Sequence, residues 1–220
     1  THTISMWVYI TANCTSWGNL FASDGGVGLY CLRNGGGNKI DYYDNTDNFS
    51  NTSIPINQWH HIAFVNNAGA GTFYLDGITD GTASPLNGFT ASRMGNDSSG
   101  DSFSGRIDDL RVYNRALSAA EILALSKSGS AKIGLTDPNP GTLKNNLTGH
   151  WTFDGKDMVS NVADVSGKGR NGFLTGFTST TTVIGKIGQA LSFNGSTDKY
   201  VTTTTLWSGF VDETAGTISA

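Results

Sequence analysis

The sequence predicts a β-rich sandwich domain, and three observations support this fold class. Apolar and polar residues alternate over short segments, glycine accounts for 29 of the 220 residues, and charged residues make up only 15%. Alternation with a period of two is typical of strands with one face in a core, and glycine allows the tight turns that join such strands. The length of the chain is consistent with a single sandwich domain.

The first part of the chain contains the clearest strand patterns. In the first of them Ile4, Met6, Val8 and Ile10 alternate with Ser, Trp and Tyr residues. A glycine triplet ends the second, and an Asp-Gly pair, a strong hairpin signal, ends the fourth. The predicted strands are residues 3–11, 27–32, 59–65, 72–77 and 105–113.

A single short helix is predicted after these strands. Residues 118–121 form a capping box, in which a serine and a glutamate can each bond the backbone N–H near the other residue. Ile122, Leu123 and Leu125 follow, and Gly129 supplies a stop signal. Because the helix is too short to be stable alone, we expect it to pack against the sandwich.

The composition changes after this helix and strand patterns then resume. Residues 129–147 lack a hydrophobic pattern and contain two prolines, which predicts a linker. Further strands are predicted within 148–154, 190–195 and 199–202. The chain then ends on Thr-Ile-Ser at 217–219, the same triplet that occurs at 3–5.

Six segments resemble a known family. The most specific is GRIDDLRVYNRALS, at 105–118. Together the segments resemble the laminin-G-like domains of the concanavalin A-like lectin/glucanase group, whose fold is a two-sheet antiparallel jelly roll. The remaining five are QWHHIA (58–63), FYLDG (73–77), HWTFDG (150–155), DVSGKGRNG (164–172) and LSFNG (191–195).

The order of these segments departs from the family. In the family, the equivalents of 148–220 come first and lead into a strand like 3–11. We therefore expect 1–128 to be the main part of a sandwich that lacks its first strands, and 148–220 to supply such strands to the same copy or to a neighbouring one. The order fits one unit of a tandem array, the interpretation we favour, and it also fits a circular permutant.

Paired carboxylates for glycoside hydrolysis are not evident. Glucanases of this fold use acidic pairs on one strand. The chain has only two glutamates, Glu121 in the capping box and Glu213 in a polar turn, and the adjacent Asp108 and Asp109 should point to opposite faces of a strand. We therefore expect that the protein is not an enzyme.

A structural calcium ion is implied by the resemblance, since related domains often hold one near the termini of the fold. The matching positions supply the oxygen ligands that calcium prefers. The alternative is that Asp108 pairs with an arginine or caps a turn and that Asp198 is a turn residue. The predicted metal ligands are Asp108, Asp154, Asn194 and Asp198.

Aromatic residues in or beside polar loops are candidates for stacking on a sugar ring. The alternative for each is that the ring covers an edge of the sandwich. Trp7, Trp59 and Trp151 lie on predicted strands, so we expect them in core or inter-sheet packing. The ligand-binding candidates are Trp17, Tyr42, Tyr43 and Trp207.

The two cysteines, Cys14 and Cys31, flank a predicted strand–turn–strand unit. A disulfide between them would suit a secreted protein, whereas two separate buried thiols are the other interpretation. No Cys/His cluster is present in the sequence, so a zinc site is not expected.

Charge and hydropathy limit the possible partners. The formal net charge is −4, whereas nucleic-acid binding requires clustered Lys and Arg. No apolar run is long enough to span a membrane. We expect a non-catalytic extracellular or cell-surface module that binds a glycan or an extracellular protein. We also expect it to be one repeat of a surface or filament protein, in contact with neighbouring copies of the same domain. The alternative is a structural subunit of a head-to-tail filament assembled by strand exchange.

Overall fold

A computed structural model of the chain shows two antiparallel β-sheets and one α-helix. The predicted all-β class, a two-sheet sandwich with one short helix, is confirmed. The linker residues 129–141 and the repeated triplet at 217–219 lie outside the described part of the chain. The structure describes residues 1–14, 17–23, 26–34, 37–83, 91–96, 100, 102–128, 142–158, 161–177 and 182–203.

Numbered in chain order, the strands are β1 His2–Ile10, β2 Gly18–Ala22, β3 Gly28–Asn34, β4 Gly37–Tyr43, β5 Trp59–Asn67, β6 Ala70–Leu75, β7 Ile78–Ala83, β8 Arg93–Met94, β9 Ser104–Tyr113, β10 Leu147–Trp151, β11 Gly172–Thr175, β12 Thr182–Ile184, β13 Gln189–Asn194 and β14 Tyr200–Thr203. The helix α1 spans Ala119–Lys127, and short 3₁₀ turns span Thr142–Lys144 and Gly155–Asp157.

The strands form an eight-stranded and a six-stranded sheet. The eight-stranded sheet has the order β12-β13-β9-β1-β5-β6-β7, and β10 also pairs with β9. The six-stranded sheet has the order β11-β14-β8-β2-β3-β4. Every strand pair is antiparallel, as in sandwiches whose sheets each bury one face.

Strands from the late part of the chain lie in both sheets. One side of β9 pairs with β13 through Leu191↔Ile107 and with β10 through Trp151↔Leu110, whereas its other side pairs with β1. In the six-stranded sheet, β14 pairs with β8 and β11 pairs with β14. In this structure the late strands therefore add to sheets begun by the early ones, within one molecule.

The core lies between the two sheets. Its largest side chains include Phe21, Phe64 and Trp151, all fully buried. Trp151 thus packs in the core, as expected. Trp7 and Trp59 do not lie between the sheets. Trp7 alternates with the core residues of β1, so its side chain faces the outer side of the eight-stranded sheet. Trp59 pairs with Tyr9, which lies on that same outer side.

Helix α1 covers part of that outer side. Ser118 caps it with the predicted capping box, and Glu121 also forms a bidentate pair with Arg115 at 2.7 and 3.0 Å. Ile122 and Leu125 of the helix pack in a second, smaller apolar cluster over β5 and β9. No helix in the described ranges is both long and apolar enough to cross a membrane.

The eight-stranded sheet ends in two short outer strands. These are β7 and β12, beyond which no further strand of the described residues pairs. Each exposes an isoleucine: Ile78 is 70% exposed and Ile184 is 84% exposed.

Candidate ligand-binding site

Two predicted ligand-binding residues meet on the outer face of the six-stranded sheet. Trp17, just before β2, contacts Tyr43 at the end of β4 with ring centroids 4.7 Å apart, and contacts Tyr30 on β3 at 5.3 Å. Both contacts are edge-to-face. Trp17 and Tyr43 are half-buried, so part of each ring is open to a ligand. We call Trp17, Tyr30 and Tyr43 the aromatic cluster.

Local structure fixes the position of this cluster. A disulfide joins Cys14, three residues before Trp17, to Cys31 on β3. The Cys14 backbone N–H also donates to Asn38 Oδ1 at 2.9 Å. These two attachments hold the chain where it enters β2, so Trp17 is presented from a restrained segment.

The turn between β2 and β3 supports the other two rings. The Tyr30 hydroxyl donates to the Gly26 carbonyl at 2.9 Å. Gly26 has φ +98°, a conformation that favours glycine, and a Cβ added there would lie 3.6 Å from Tyr43 Cε1. A larger residue at position 26 would strain the turn beside the cluster.

A row of polar side chains crosses the sheet beside the cluster. Asn19, Tyr30 and Asp41 are register neighbours on β2, β3 and β4, so they lie on the same face. Asn19 and Asp41 are fully buried. Neither amide atom of Asn19 has a hydrogen-bond partner among the described residues, and neither has the Asp41 Oδ2 atom.

The protonation state of Asp41 follows from its burial. Burial raises its pKa to about 8, although the Asn48 backbone N–H opposes this by donating to Oδ1 at 2.6 Å; the charges of Asp47 and Asp44 raise the pKa further. At neutral pH the carboxyl is therefore largely protonated. With Oδ1 accepting from Asn48, the Oδ2 hydroxyl would be a hydrogen-bond donor.

The remaining two ligand-binding candidates are not part of this cluster. Tyr42 is fully buried and its ring stacks on Phe64 at 4.2 Å, so the prediction that it binds ligand is wrong. The reason is strand geometry: Tyr42 and Tyr43 are adjacent, and neighbouring side chains of a strand point to opposite faces. Trp207 lies outside the described residues.

Sequence reasoning did not identify Asn19, Tyr30 or Asp41 as part of a binding site. All three share the strand face of Tyr43 once the pairing of β2, β3 and β4 is known. These residues become neighbours only through the register between strands, and the sequence of a single segment does not reveal that register.

Two of the predicted calcium ligands hold one turn. Asp108 Oδ2 accepts hydrogen bonds from the backbone N–H groups of Lys186 and Ile187, each at 2.8 Å. Asp154 Oδ1 accepts from the Gln189 backbone N–H at 2.9 Å. Both carboxylates therefore stabilise the connection between β12 and β13.

The other two lie in a turn at the far end of β13. Asn194 Oδ1 accepts from the Ser196 backbone N–H at 3.1 Å, and the Ser196 hydroxyl bonds Asp198. Strand β13 separates this turn from Gln189 by about 16 Å, whereas calcium ligands lie within 2.6 Å of the ion. The four predicted ligands thus do not form one calcium site in this structure. The described residues contain no cluster of three His, Cys, Asp or Glu side chains suited to a metal.

Asp109 joins β9 to β10. Its Oδ1 lies 2.6 Å from His150 Nε2 on β10, and its Oδ2 lies 2.9 Å from Arg111 Nη2. Burial alone would raise the pKa of Asp109, but the His150 hydrogen bond and the Arg111 charge outweigh it and lower that pKa. This network fixes a late strand to an early one.

Known structures share this fold. A candidate carbohydrate-binding protein from Bacteroides ovatus is 13% identical, with a TM-score of 0.57; the match covers 93% of this chain and 52% of that one. The present chain therefore spans about half the length of that protein.

Two further matches cover 57% of this chain each. Domain 4 of AbnA, a GH43 extracellular arabinanase from Geobacillus stearothermophilus solved with arabinotriose, is 24% identical over 66% of its length, with a TM-score of 0.48. The heptameric SAP-like pentraxin from Limulus polyphemus is 16% identical over 69% of its length, with a TM-score of 0.46.

Comparison with curated proteins gives no match. A laminin G family model (Laminin_G_3), described as the concanavalin A-like lectin/glucanases superfamily, matches residues 1–123. This stretch is more than half of the chain and includes β1 to β9, the disulfide and the aromatic cluster. The chain belongs to the laminin-G-like family of the concanavalin A-like lectin/glucanase superfamily.

Proposed function

We propose that this domain is a non-catalytic carbohydrate-binding module whose ligand packs against the aromatic cluster. The observation that carries the proposal is the contact between the half-buried rings of Trp17 and Tyr43 beside the polar groups of Asn19 and Asp41. The family assignment and the fold shared with a candidate carbohydrate-binding protein support it.

The chemistry of the cluster suits a neutral sugar. Aromatic side chains offer large apolar faces, which match the C–H faces of sugar rings. An amide can donate and accept, and the protonated Asp41 carboxyl can donate, so together these groups match sugar hydroxyls. A buried polar group without a partner costs about 1–3 kcal/mol, which a sugar hydroxyl or an ordered water would offset.

Access to these polar groups requires a small movement. Asn19 and Asp41 are fully buried, so a sugar hydroxyl can reach them only if a neighbouring side chain turns aside. Trp17 lies two residues from Asn19 and is held by edge contacts to two tyrosines. Each such contact contributes about 0.5–1.5 kcal/mol, so a bound sugar ring can replace it.

Calorimetric titration of the purified chain with neutral oligosaccharides tests the proposal. We expect at least one class to bind and Trp17→Ala to weaken it at least about tenfold, since stacking of one ring is worth more than 1 kcal/mol. Tyr43→Phe should keep the affinity. The matched control is Phe173→Ala, which removes a partly exposed aromatic ring from β11, at the far edge of the same sheet.

Two outcomes would count against this site. One is a wild-type chain that binds none of the neutral oligosaccharides tested. The other is equal loss of affinity in Trp17→Ala and Phe173→Ala, which would show that the variants act through folding and not through contact with the sugar.

The absence of catalysis is part of the proposal. Among the described residues, Glu121 is the sole glutamate, and its carboxylate is bound by Arg115 and Ser118. Asp108 and Asp109 are likewise bonded to backbone or side-chain donors. Incubation with a bound oligosaccharide should therefore release no shorter product, which chromatography would detect.

We also propose that the late strands complete the sandwich within one chain, in an extracellular or cell-surface protein that carries further copies. Pairing of β10 and β13 with β9 supports completion within the chain, and the disulfide suits an oxidising compartment. The rival role is a filament subunit that exchanges strands. Light scattering after size exclusion separates them: a monomer supports internal completion, and concentration-dependent polymers support exchange.

Calcium binding remains a prediction from the family resemblance. Thermal melting with added calcium and with a chelator tests it. A higher Tm in calcium would support a bound ion, because a ligand of the folded state stabilises that state. An equal Tm in both conditions would contradict the prediction.

A further inference from the structure

A second group of side chains lies on the opposite side of the molecule, on the outer face of the eight-stranded sheet beyond helix α1. Register pairing places it in two rows that cross β5, β1 and β9. The half-buried outer row is Trp59, Tyr9 and Arg106, and the buried inner row is His61, Trp7 and Asp108.

Two cations of this group rest on aromatic rings. The Arg106 guanidinium carbon lies 4.8 Å from the centroid of the Tyr9 ring, and Lys186 Nζ lies 4.9 Å from the Trp7 ring. Within the described ranges, neither cation has a carboxylate within ion-pair distance. In a chain with a net charge of −4, this leaves two positioned cations available to an anionic ligand.

The inner row contains polar atoms whose bonding is incomplete. His61 Nε2 bonds the Ser5 hydroxyl at 2.9 Å, but His61 Nδ1 has no partner among the described residues. The same holds for Trp7 Nε1 and for Asp108 Oδ1. An indole N–H only donates and a carboxylate oxygen accepts, so ligand hydroxyls could serve both.

The side chain of Lys186 lies over the Trp7 ring of the inner row. A cation–aromatic contact at a partly exposed site is weak, and the lysine stem has several rotatable bonds. Lys186 can therefore turn from Trp7 toward an arriving anion and uncover the row beneath.

We propose that this face is a second binding site, for an acidic glycan whose carboxylate or sulfate groups contact Arg106 and Lys186 and whose sugar rings pack against Tyr9 and Trp59. The site is independent of the aromatic cluster, which lies on the other sheet. A peptide added as a further strand is disfavoured here, because β5, β1 and β9 are each paired on both sides.

Isothermal titration of the full chain with four polymers tests this proposal. Oligogalacturonate carries carboxylates, dextran sulfate carries sulfates, dextran is neutral, and polyglutamate is an acidic peptide. We expect one or both acidic glycans to bind, with an affinity that falls as salt is added, and dextran not to bind at this face. The stronger of the two acidic glycans identifies the anionic group.

Matched charge variants locate the binding. The double variant Arg106→Gln, Lys186→Gln should lose at least about tenfold in affinity, as expected for removal of charge-assisted contacts. The control Lys144→Gln, Lys168→Gln removes the same charge from two exposed positions and should bind as the wild type does. Lys186→Gln alone, at a partly exposed side chain, provides a milder variant that should fold and still lose affinity.

Several results would overturn the proposal. They are failure of both acidic glycans to bind, equal losses in the double variant and its control, and equal binding of polyglutamate with no effect of Trp59→Ala. Trp17→Ala should leave acidic-glycan binding unchanged, which separates this site from the one on the six-stranded sheet.

Discussion

Removal of the disulfide is expected to lower the free energy of unfolding by about 3 kcal/mol. Cys14 and Cys31 are 17 residues apart in sequence, and closing a loop of this size removes about 3 kcal/mol of chain entropy from the unfolded state. For a chain of this length, that loss corresponds to a decrease in Tm of about 6–12 °C. The variant to make is Cys14→Ala, Cys31→Ala.

The same change should weaken sugar binding at the aromatic cluster. Cys14 fixes the segment that presents Trp17, and after the disulfide is lost the 2.9 Å hydrogen bond from the backbone N–H of residue 14 to Asn38 is the attachment that the described residues still provide there. Trp17 would then have more conformational freedom in the unbound protein. Because that freedom is lost when the sugar binds, we expect the affinity to fall by several fold.

Urea denaturation of the variant and of the oxidised wild type, followed by tryptophan fluorescence, measures the stability change. Wild type unfolded in the presence of a reductant should approach the midpoint of the variant. A variant within about 1 kcal/mol of the wild type would refute the loop-entropy reasoning. A full loss of stability with unchanged sugar affinity would refute the positioning of Trp17 by the disulfide.

Three further predictions follow from buried groups. Asp109→Asn should lower the free energy of unfolding by about 1–3 kcal/mol, because it weakens the charged contacts of a buried carboxylate with Arg111 and His150; urea denaturation measures this, and a neutral effect would contradict the role of the network. Burial raises the pKa of Asp41 from 3.8 to about 8, so the folded chain keeps a proton that the unfolded chain loses. Stability should therefore fall as pH rises from about 4 to about 8, and Asp41→Asn should reduce this decline in Tm; an unchanged profile would argue against it. Trp151→Ala should cost about 3–5 kcal/mol by opening a core cavity, and unaltered stability would contradict packing of β10 in this core.

Strands and the helix were predictable where local pattern is sufficient. Ile4, Met6, Val8 and Ile10 recur with period two and are all buried in the core, and the Ser118–Glu121 capping box starts the helix. Strand β4 was not predicted, because its residues follow a glycine-rich turn and read as a polar, acidic loop.

The face of the sheet that each side chain occupies could not be predicted from residue type alone. Trp7 and Trp59 were expected in core or inter-sheet packing because they lie on predicted strands, yet both lie on the outer face of the sheet. The alternation along β1 already places Trp7 opposite to Ile4 and Val8, so the period of the strand outweighs the hydrophobicity of the side chain.

The candidate site was predictable only in part. Trp17 and Tyr43 stand beside polar loops, which pointed to ligand binding, but Tyr42 faces the core because it is adjacent to Tyr43. Asn19 and Asp41 become neighbours through the pairing of three strands, and no local pattern encodes that register.

The two outer strands of the eight-stranded sheet have a consequence for handling the protein. Ile78 on β7 and Ile184 on β12 are largely exposed, and neither strand pairs with a further strand of the described residues on its outer side. On β7 the Asp80 carbonyl accepts from the Asn51 backbone N–H, so part of that edge is already bonded. Such edges can serve as templates for a strand of another molecule. In concentrated solution, precipitation would then start from folded molecules that meet edge to edge, and Ile184→Lys should improve solubility.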